Sequence, residues 1–213
     1  ERIKAAFVSK FWLEEEGYLA DYVNYDEVNK FIRCNMVVAA GLNYTMLDEE
    51  KRVRVLQTIH EHLLTPRGIR TLSPRNMLYK SNYNEDQRSQ DLASRNGSAW
   101  IWPLTLFVKA CFDIAGEKYV EDAKRILEAF DDELQTKCVG SLSERFEGDP
   151  PHGPRGSVSH ATSVAGLLAI NSMIDKYEPK KRARKSCKSA AAECADAVEA
   201  KPKRKCVRKS AKK

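Results

Sequence analysis

Between Thr65 and Gly97, and again between Ser141 and Gly156, the chain loses helical periodicity, whereas the stretches around these two segments keep it up to Tyr177. Apolar residues recur at helical spacing as Ile3, Ala6, Phe7 and Phe11 within residues 2–16, with Gly17 at a C-cap position. They recur as Val55, Leu56, Ile59 and Leu63 behind an Asp48 cap and an acidic first turn, Glu49 and Glu50. A further helix carries Leu104, Phe107, Val108, Cys111 and Phe112, and another, after Gly116, carries Tyr119, Ala123, Ile126, Leu127, Phe130 and Leu134. A last one over residues 159–177 presents Val164, Leu167, Leu168, Met173 and Ile174. Met36 to Leu42 is an apolar run read as the start of a buried helix, although pattern alone does not separate helix from strand there. Tyr18 to Tyr25 reads as a short strand or extended loop. These patterns predict an all-α body with short β elements in its loops. Loops this long in a compact domain are usually functional or disordered, and disorder is the weaker reading here. Helices in a ring, with the loops gathered into a site at one rim, suit that alternation.

Charge divides the chain at Pro179. Residues 179–213 hold fourteen Lys or Arg against three acids, a net +11; the whole chain is +6, so residues 1–178 carry −5. The body therefore gives no electrostatic case for nucleic-acid binding. The tail, rich in Lys, Arg and Ala, has too few large apolar groups to offset ordering entropy and is expected to be disordered. Its KKRARK and KPKRKCVRK runs resemble histone-like basic tails, and weak polyanion binding is the partner class they suggest. No apolar run approaches the eighteen or so residues needed to cross a bilayer, and no signal peptide opens the chain, so a cytoplasmic protein with no membrane partner is expected. The chain begins without Met, inside a helical pattern, and Glu1 is expected not to be the natural start. Cys34, Cys111, Cys138, Cys187, Cys194 and Cys206 form no C-x-x-C pair and are read as reduced thiols. His60 and His62, two apart on a helix, do not face each other, and no metal site is expected from them.

Candidate chemistry concentrates in the two aperiodic segments. SLSERFEGDPPHGPRG (141–156) places Glu144, Glu147 and Asp149 on Pro- and Gly-rich backbone, where carboxylates serve acid–base chemistry or simple solvation. The longer segment offers Arg70, Arg75, Tyr79, Tyr83 and Asp91, side chains able to hydrogen-bond a polar ligand. Trp100 and Trp102, two apart at a helix entrance, cannot both face one core stripe; an apolar platform and ordinary burial remain the alternatives. His160 reads as a capping or surface residue.

Six blocks then resemble the C-terminal part of the glucosidase domain of glycogen debranching enzymes, the amylo-α-1,6-glucosidase type. They are FWLEEEGYLADYV (11–23), IRCN (32–35), LLTPRGIRTLSP (63–74), YNEDQRSQD (83–91), NGSAWIW (96–102) and SLSERFEGDPPHGPRG (141–156), in order and with family-like spacing. The resemblance implies that residues 1–178 are the C-terminal portion of an (α/α)6 toroid with long active-site loops, and that residues 179–213 are an extension. It implies glycogen or another branched α-glucan as the ligand, no metal or cofactor, and hydrolysis by two carboxyl groups flanking an α-1,6 bond.

By that resemblance Glu144, in S-x-S-E-x-F, matches the general base of an inverting mechanism, with Glu147 and Asp149 shaping the pocket or binding sugar hydroxyls. Arg33 and Asn35 match an R-P-N turn. Arg70, Thr71, Ser73 and Asp91 match rim segments, and Trp100 and Trp102 match a W-P-W element that stacks on sugar rings. The general acid has no match here and is expected in the N-terminal remainder of the same catalytic domain, the partner the site needs; the chain alone is expected to be inactive. Four positions depart from the family pattern: Cys34 for Pro, Arg95 for His, Ile101 for Pro and Thr162 for Trp. Altered specificity, relaxed selection and a non-catalytic, glucan-binding or regulatory homologue all remain open on those departures.

Overall fold

The computed structural model describes residues 1–25, 27–81, 86–137 and 139–178. Tyr83, Cys138, Cys187, Cys194, Cys206 and the basic segment 179–213, with the readings attached to them, lie outside the described residues. Helices supply the core: α1 Arg2–Phe11, α2 Met36–Gly41, α3 Glu49–His62, α4 Gln87–Asn96, α5 Ile101–Ala115, α6 Val120–Glu128, α7 Asp131–Thr136 and α8 Ala161–Tyr177. Among the described residues, nine strands of two or three residues occupy the loops: β1 Trp12–Leu13, β2 Tyr18–Leu19, β3 Tyr22–Asn24, β4 Glu27–Asn29, β5 Leu64–Thr65, β6 Gly68–Arg70, β7 Ala99–Trp100, β8 Arg145–Phe146 and β9 Pro154–Arg155. A mainly helical body with β elements confined to its loops is what the periodicity predicts.

The helix with the longest apolar face organises the rest. Along α5, Ile101, Pro103, Leu104, Phe107, Val108, Ala110 and Phe112 are all buried, and α8, α2 and α3 pack around it. Close approach to α8 depends on Gly166, where a Cβ would lie 2.8 Å from Thr105 Oγ1 and 2.9 Å from Ile101 Cγ2. At the far end Phe112 stacks on Tyr177 with ring centroids 4.7 Å apart and meets Tyr119 edge-on at 5.5 Å. Helix α3 starts as its sequence dictates: Asp48 Oδ1 accepts from Lys51 N at 2.8 Å, satisfying one of the amides that have no partner within the helix. Burial of Val55, Leu56, Ile59 and Leu63 fixes its inner face.

Three expectations need correction. Helix α1 stops at Phe11 rather than Glu16, and Gly17, with φ +75°, turns the β1–β2 hairpin instead of capping the helix. The single helix expected after Gly116 is a 3-10 turn, Gly116–Tyr119, followed by α6 and α7, which are separated at Ala129 and Phe130. Its apolar period runs unbroken through the joint because fully buried Phe130 and half-buried Leu134 both still face the core. The segment Thr65–Gly97 is not uniform loop: it contains β6 and the ten-residue α4.

Strands β5, β6, β7, β8 and β9 form one antiparallel sheet in that order. Its registers, Ile69 with Trp100, Ala99 with Phe146 and Arg145 with Arg155, stitch together loops far apart in sequence. Through this sheet the two aperiodic segments become one surface. Ile69, Ala99 and Phe146 are fully buried and fasten its three central strands to the helical core.

Candidate functional site

Glu144 immediately precedes β8, and its backbone N–H donates to Ser157 O at 2.9 Å, extending the pairing of β8 and β9. Its carboxylate is one-fifth exposed. Oε2 accepts from Ser157 N at 2.9 Å and from Ser157 Oγ at 3.2 Å. Oε1 lies 3.7 Å from Arg145 Nη1. Partial burial pushes the Glu144 pKa up, but the Ser157 N–H, the Arg145 charge, the Ser157 hydroxyl and nearby His160 outweigh it, and the net shift is downward. A carboxylate so held stays ionised at neutral pH and can accept a proton.

The backbone has been shaped around this carboxylate. Gly156 has φ +75°, and a side chain there would overlap Glu144 Oε2 and approach its Cβ to 2.9 Å. Beneath the loop, Ser143 Oγ donates to Glu133 Oε1 at 2.7 Å, both residues being buried. Ser163 Oγ, at the start of α8, donates to Glu144 O at 3.3 Å and lies 3.1 Å from His160 Nδ1. His160 precedes α8 without a side-chain hydrogen bond to its backbone, so its polar contact is to Ser163 rather than a helix cap.

Beside Glu144 lies a cleft of about 320 Å³ lined by Arg33, Cys34, Asn35, Thr71, Ser94, Arg95, Trp100 and Trp102. The sequence thus nominates four of its members as substrate-binding residues, Arg33, Asn35, Trp100 and Trp102. Among the described residues no carboxylate lines it, Glu144 included. Arg145 makes the connection: its Nη1 donates to Ser94 Oγ at 2.6 Å, and its guanidinium sits 5.3 Å from the centre of the Trp100 ring. Trp100 Nε1 in turn donates to Ser94 O at 3.3 Å. Trp100 is half-buried and Trp102 is 36% exposed, so neither is an ordinary core residue, and Trp102 is the more accessible of the two.

Arg33 also lines the cleft. Its Nη1 donates to Arg95 O and its Nη2 to Asn96 Oδ1, both at 2.9 Å, while Nε pairs with Asp21 Oδ2 at 3.2 Å. Each guanidinium nitrogen therefore has a protein partner, and Arg33 braces the wall. Asn35 Nδ2 donates to the other oxygen of Asp21 at 2.7 Å. Cys34 is buried among these groups, and burial above all raises its thiol pKa to about 12, which keeps it protonated and unreactive.

Glu147, Asp149 and Arg70 form a second cluster along the hairpin loop. Arg155 Nη2 and Nε both reach Glu147 Oε1, at 2.7 and 3.1 Å. Tyr79 OH donates to Asp149 Oδ1 at 2.8 Å, and Arg70 Nε donates to Gly148 O at 2.8 Å. Burial and the Asp149 carboxylate together raise the Tyr79 pKa to about 12, so it remains a donor. These contacts hold the 147–153 loop against the first aperiodic segment. Asp91 stands apart on the exposed side of α4, accepting from Gln87 Nε2 at 2.9 Å, and does not line the cleft.

Arg145, Ser157 and Ser94 were not among the residues the sequence singles out. The Arg145–Ser94 contact spans 51 positions and Ser157 bonds Glu144 across 13, separations that carry no periodic signal. The usable hint was the glycine of P-R-G at Gly156, which marks close approach to a neighbouring group. Among the described residues no group of three or more His, Cys, Asp and Glu is placed to hold a metal, and no helix is long and apolar enough to cross a membrane.

The helical body thus carries in its loops an ionised carboxylate close to a cleft lined by aromatic and polar side chains, the composition of a small-molecule site. The profile of the amylo-alpha-1,6-glucosidase family matches residues 1–169, and the chain belongs to that family of glycoside hydrolases. Among solved structures it is similar to neutral trehalase Nth1 from Saccharomyces cerevisiae, at 15% identity and a TM-score of 0.49. That match covers 81% of this chain and 30% of the trehalase, so the chain spans less than a third of that structure's length.

Proposed function

We propose that this chain supplies the water-activating half of a glucosidase site that releases α-1,6-linked glucose from the branch stubs of glycogen or a similar α-glucan. Glu144 takes the proton from water on one face of the sugar, and a general acid outside this chain, on the N-terminal remainder of the same domain, protonates the leaving oxygen. Two carboxyl groups roughly 6.5–9.5 Å apart leave room for that water and give inversion. Residues 1–178 are then the C-terminal portion of an (α/α)6 toroid, with Trp100 and Trp102 as sugar-facing surfaces. Arg33 and Asn35 shape the cleft, Glu147, Asp149 and Arg70 order its rim, and Asp91 reaches the substrate only from the margin. The observation that carries this reading is the state of Glu144: two Ser157 donors and one Arg145 charge hold it ionised beside a cleft lined by two tryptophans and, among the described residues, by no carboxylate.

The test is the anomer of glucose first released from a limit dextrin by the complete protein, followed by proton NMR before mutarotation. β-Glucose appearing first is expected; α-glucose first contradicts inversion and with it the role of Glu144 as base. A second reading, a glucan-binding homologue without turnover, is favoured by one observation. Cys34 and Arg95, two departures from the family pattern, both line the cleft. Calorimetric binding of a branched oligosaccharide by the complete protein, without glucose release, selects that reading.

A further inference from the structure

Arg145 touches the two halves of the site at once. It is seven-eighths buried at its side chain, its Nη1 lies 2.6 Å from Ser94 Oγ and 3.7 Å from Glu144 Oε1, and its guanidinium packs over Trp100. The carboxylate it faces is asymmetric. Both Ser157 donors bind Oε2, whereas Oε1 has Arg145 as its only ion-pair partner among the described residues. Oε1 is therefore the oxygen with lone pairs left for a water molecule. Ser94 and Trp100 are wall residues of the cleft, and they are tied to each other through Trp100 Nε1.

A surface arginine beside a glutamate would be unremarked, since exposed pairs contribute little. Here a single nitrogen, Nη1, stands between the carboxylate and the hydroxyl while the guanidinium lies over an indole ring, and on an aromatic face arginine and lysine are not interchangeable. We infer that Arg145 is a positioning residue for Glu144, fixing Oε1 relative to the Ser94–Trp100 wall against which a sugar would lie. The inference rests on the proposed role of Glu144 as base. Arg145 itself transfers no proton and has no assigned contact with substrate.

The experiment compares Arg145→Gln and Arg145→Lys with the parent in the complete protein, measuring glucose release from limit dextrin across pH. For Arg145→Gln the expected loss in kcat/KM is about ten- to a hundred-fold, carried by kcat, as for a catalytic group displaced by a fraction of an ångström to an ångström. Because a cation beside the carboxylate favours its ionised form, removing it moves the acidic limb of the profile to higher pH. Arg145→Lys keeps the charge and is expected to restore the limb while recovering only part of kcat. A readout independent of turnover is carbodiimide labelling of Glu144, quantified by peptide mass spectrometry. Its pH midpoint should rise in Arg145→Gln and return in Arg145→Lys. An unchanged limb and labelling midpoint in Arg145→Gln overturn the inference, whatever happens to activity. Equal loss in both variants with no pH change does the same and leaves Arg145 a structural residue. If the parent releases no glucose, the glucosidase reading fails on its own, and the labelling midpoint still decides whether Arg145 governs Glu144.

Discussion

Replacing Glu144 with Gln in the complete protein is expected to lower the rate of glucose release from limit dextrin by about 10²–10⁴-fold, the range a general base contributes. Gln keeps the size of the side chain and an oxygen that can accept from Ser157, so the loop should hold its shape. What it loses is the ability to take a proton from water. The loss should fall on kcat, with KM for the dextrin little altered, because the cleft lining does not include Glu144. An unchanged melting temperature would show that the defect is chemical. Turnover near the parent rate would remove Glu144 from the reaction.

The second large effect is expected from Phe146→Ala. Phe146 is fully buried, meets Phe130 with ring centroids 6.0 Å apart, and lies beneath the Arg67 guanidinium at 5.9 Å. Truncation of a buried phenylalanine costs about 3–5 kcal/mol, because the lost transfer energy is joined by that of the cavity left behind. The position makes the cost functional as well. Phe146 is the inward anchor of β8, paired with Ala99 of β7 and Pro154 of β9, and Glu144 and Arg145 are the residues just before it. Calorimetry of the complete protein should show a lower-melting transition for this domain, with activity lost at temperatures the parent tolerates. An unchanged melting profile would mean that the sheet is not what holds the site to the core.

What could be read from the sequence follows the range over which each determinant acts. Helix α3 was legible because its cap, acidic first turn and apolar face all lie within one short stretch, Asp48 to Leu63. Helix α4 was not: in QRSQDLASRN only Ala93 is buried, so there is no apolar stripe to read, and its start depends on Asp86 accepting from Ser89 N. Strands of two or three residues are too short to show alternation, and the five that form the site sheet are recognisable only once paired. For the site itself, the resemblance nominated Glu144 and both tryptophans, and the structure brings the tryptophans into one cleft with Arg33 and Asn35. Arg145 escaped notice because its meaning lies in contacts to Ser94 and Trp100, which only the sheet brings near. Asp91 shows the converse: it belongs to a matching block, yet its observed partner is Gln87 on its own helix.

The central claim, that Glu144 activates the nucleophile on one face of the sugar, is tested most directly by chemical rescue. Glu144→Ala in the complete protein removes the carboxylate and leaves space for a small anion, and azide needs no base to attack. Added azide should restore cleavage of an α-linked glucosyl substrate and yield β-glucosyl azide, the inverted product. Failure of azide to restore cleavage in an otherwise folded variant, or formation of α-glucosyl azide, would contradict the assignment.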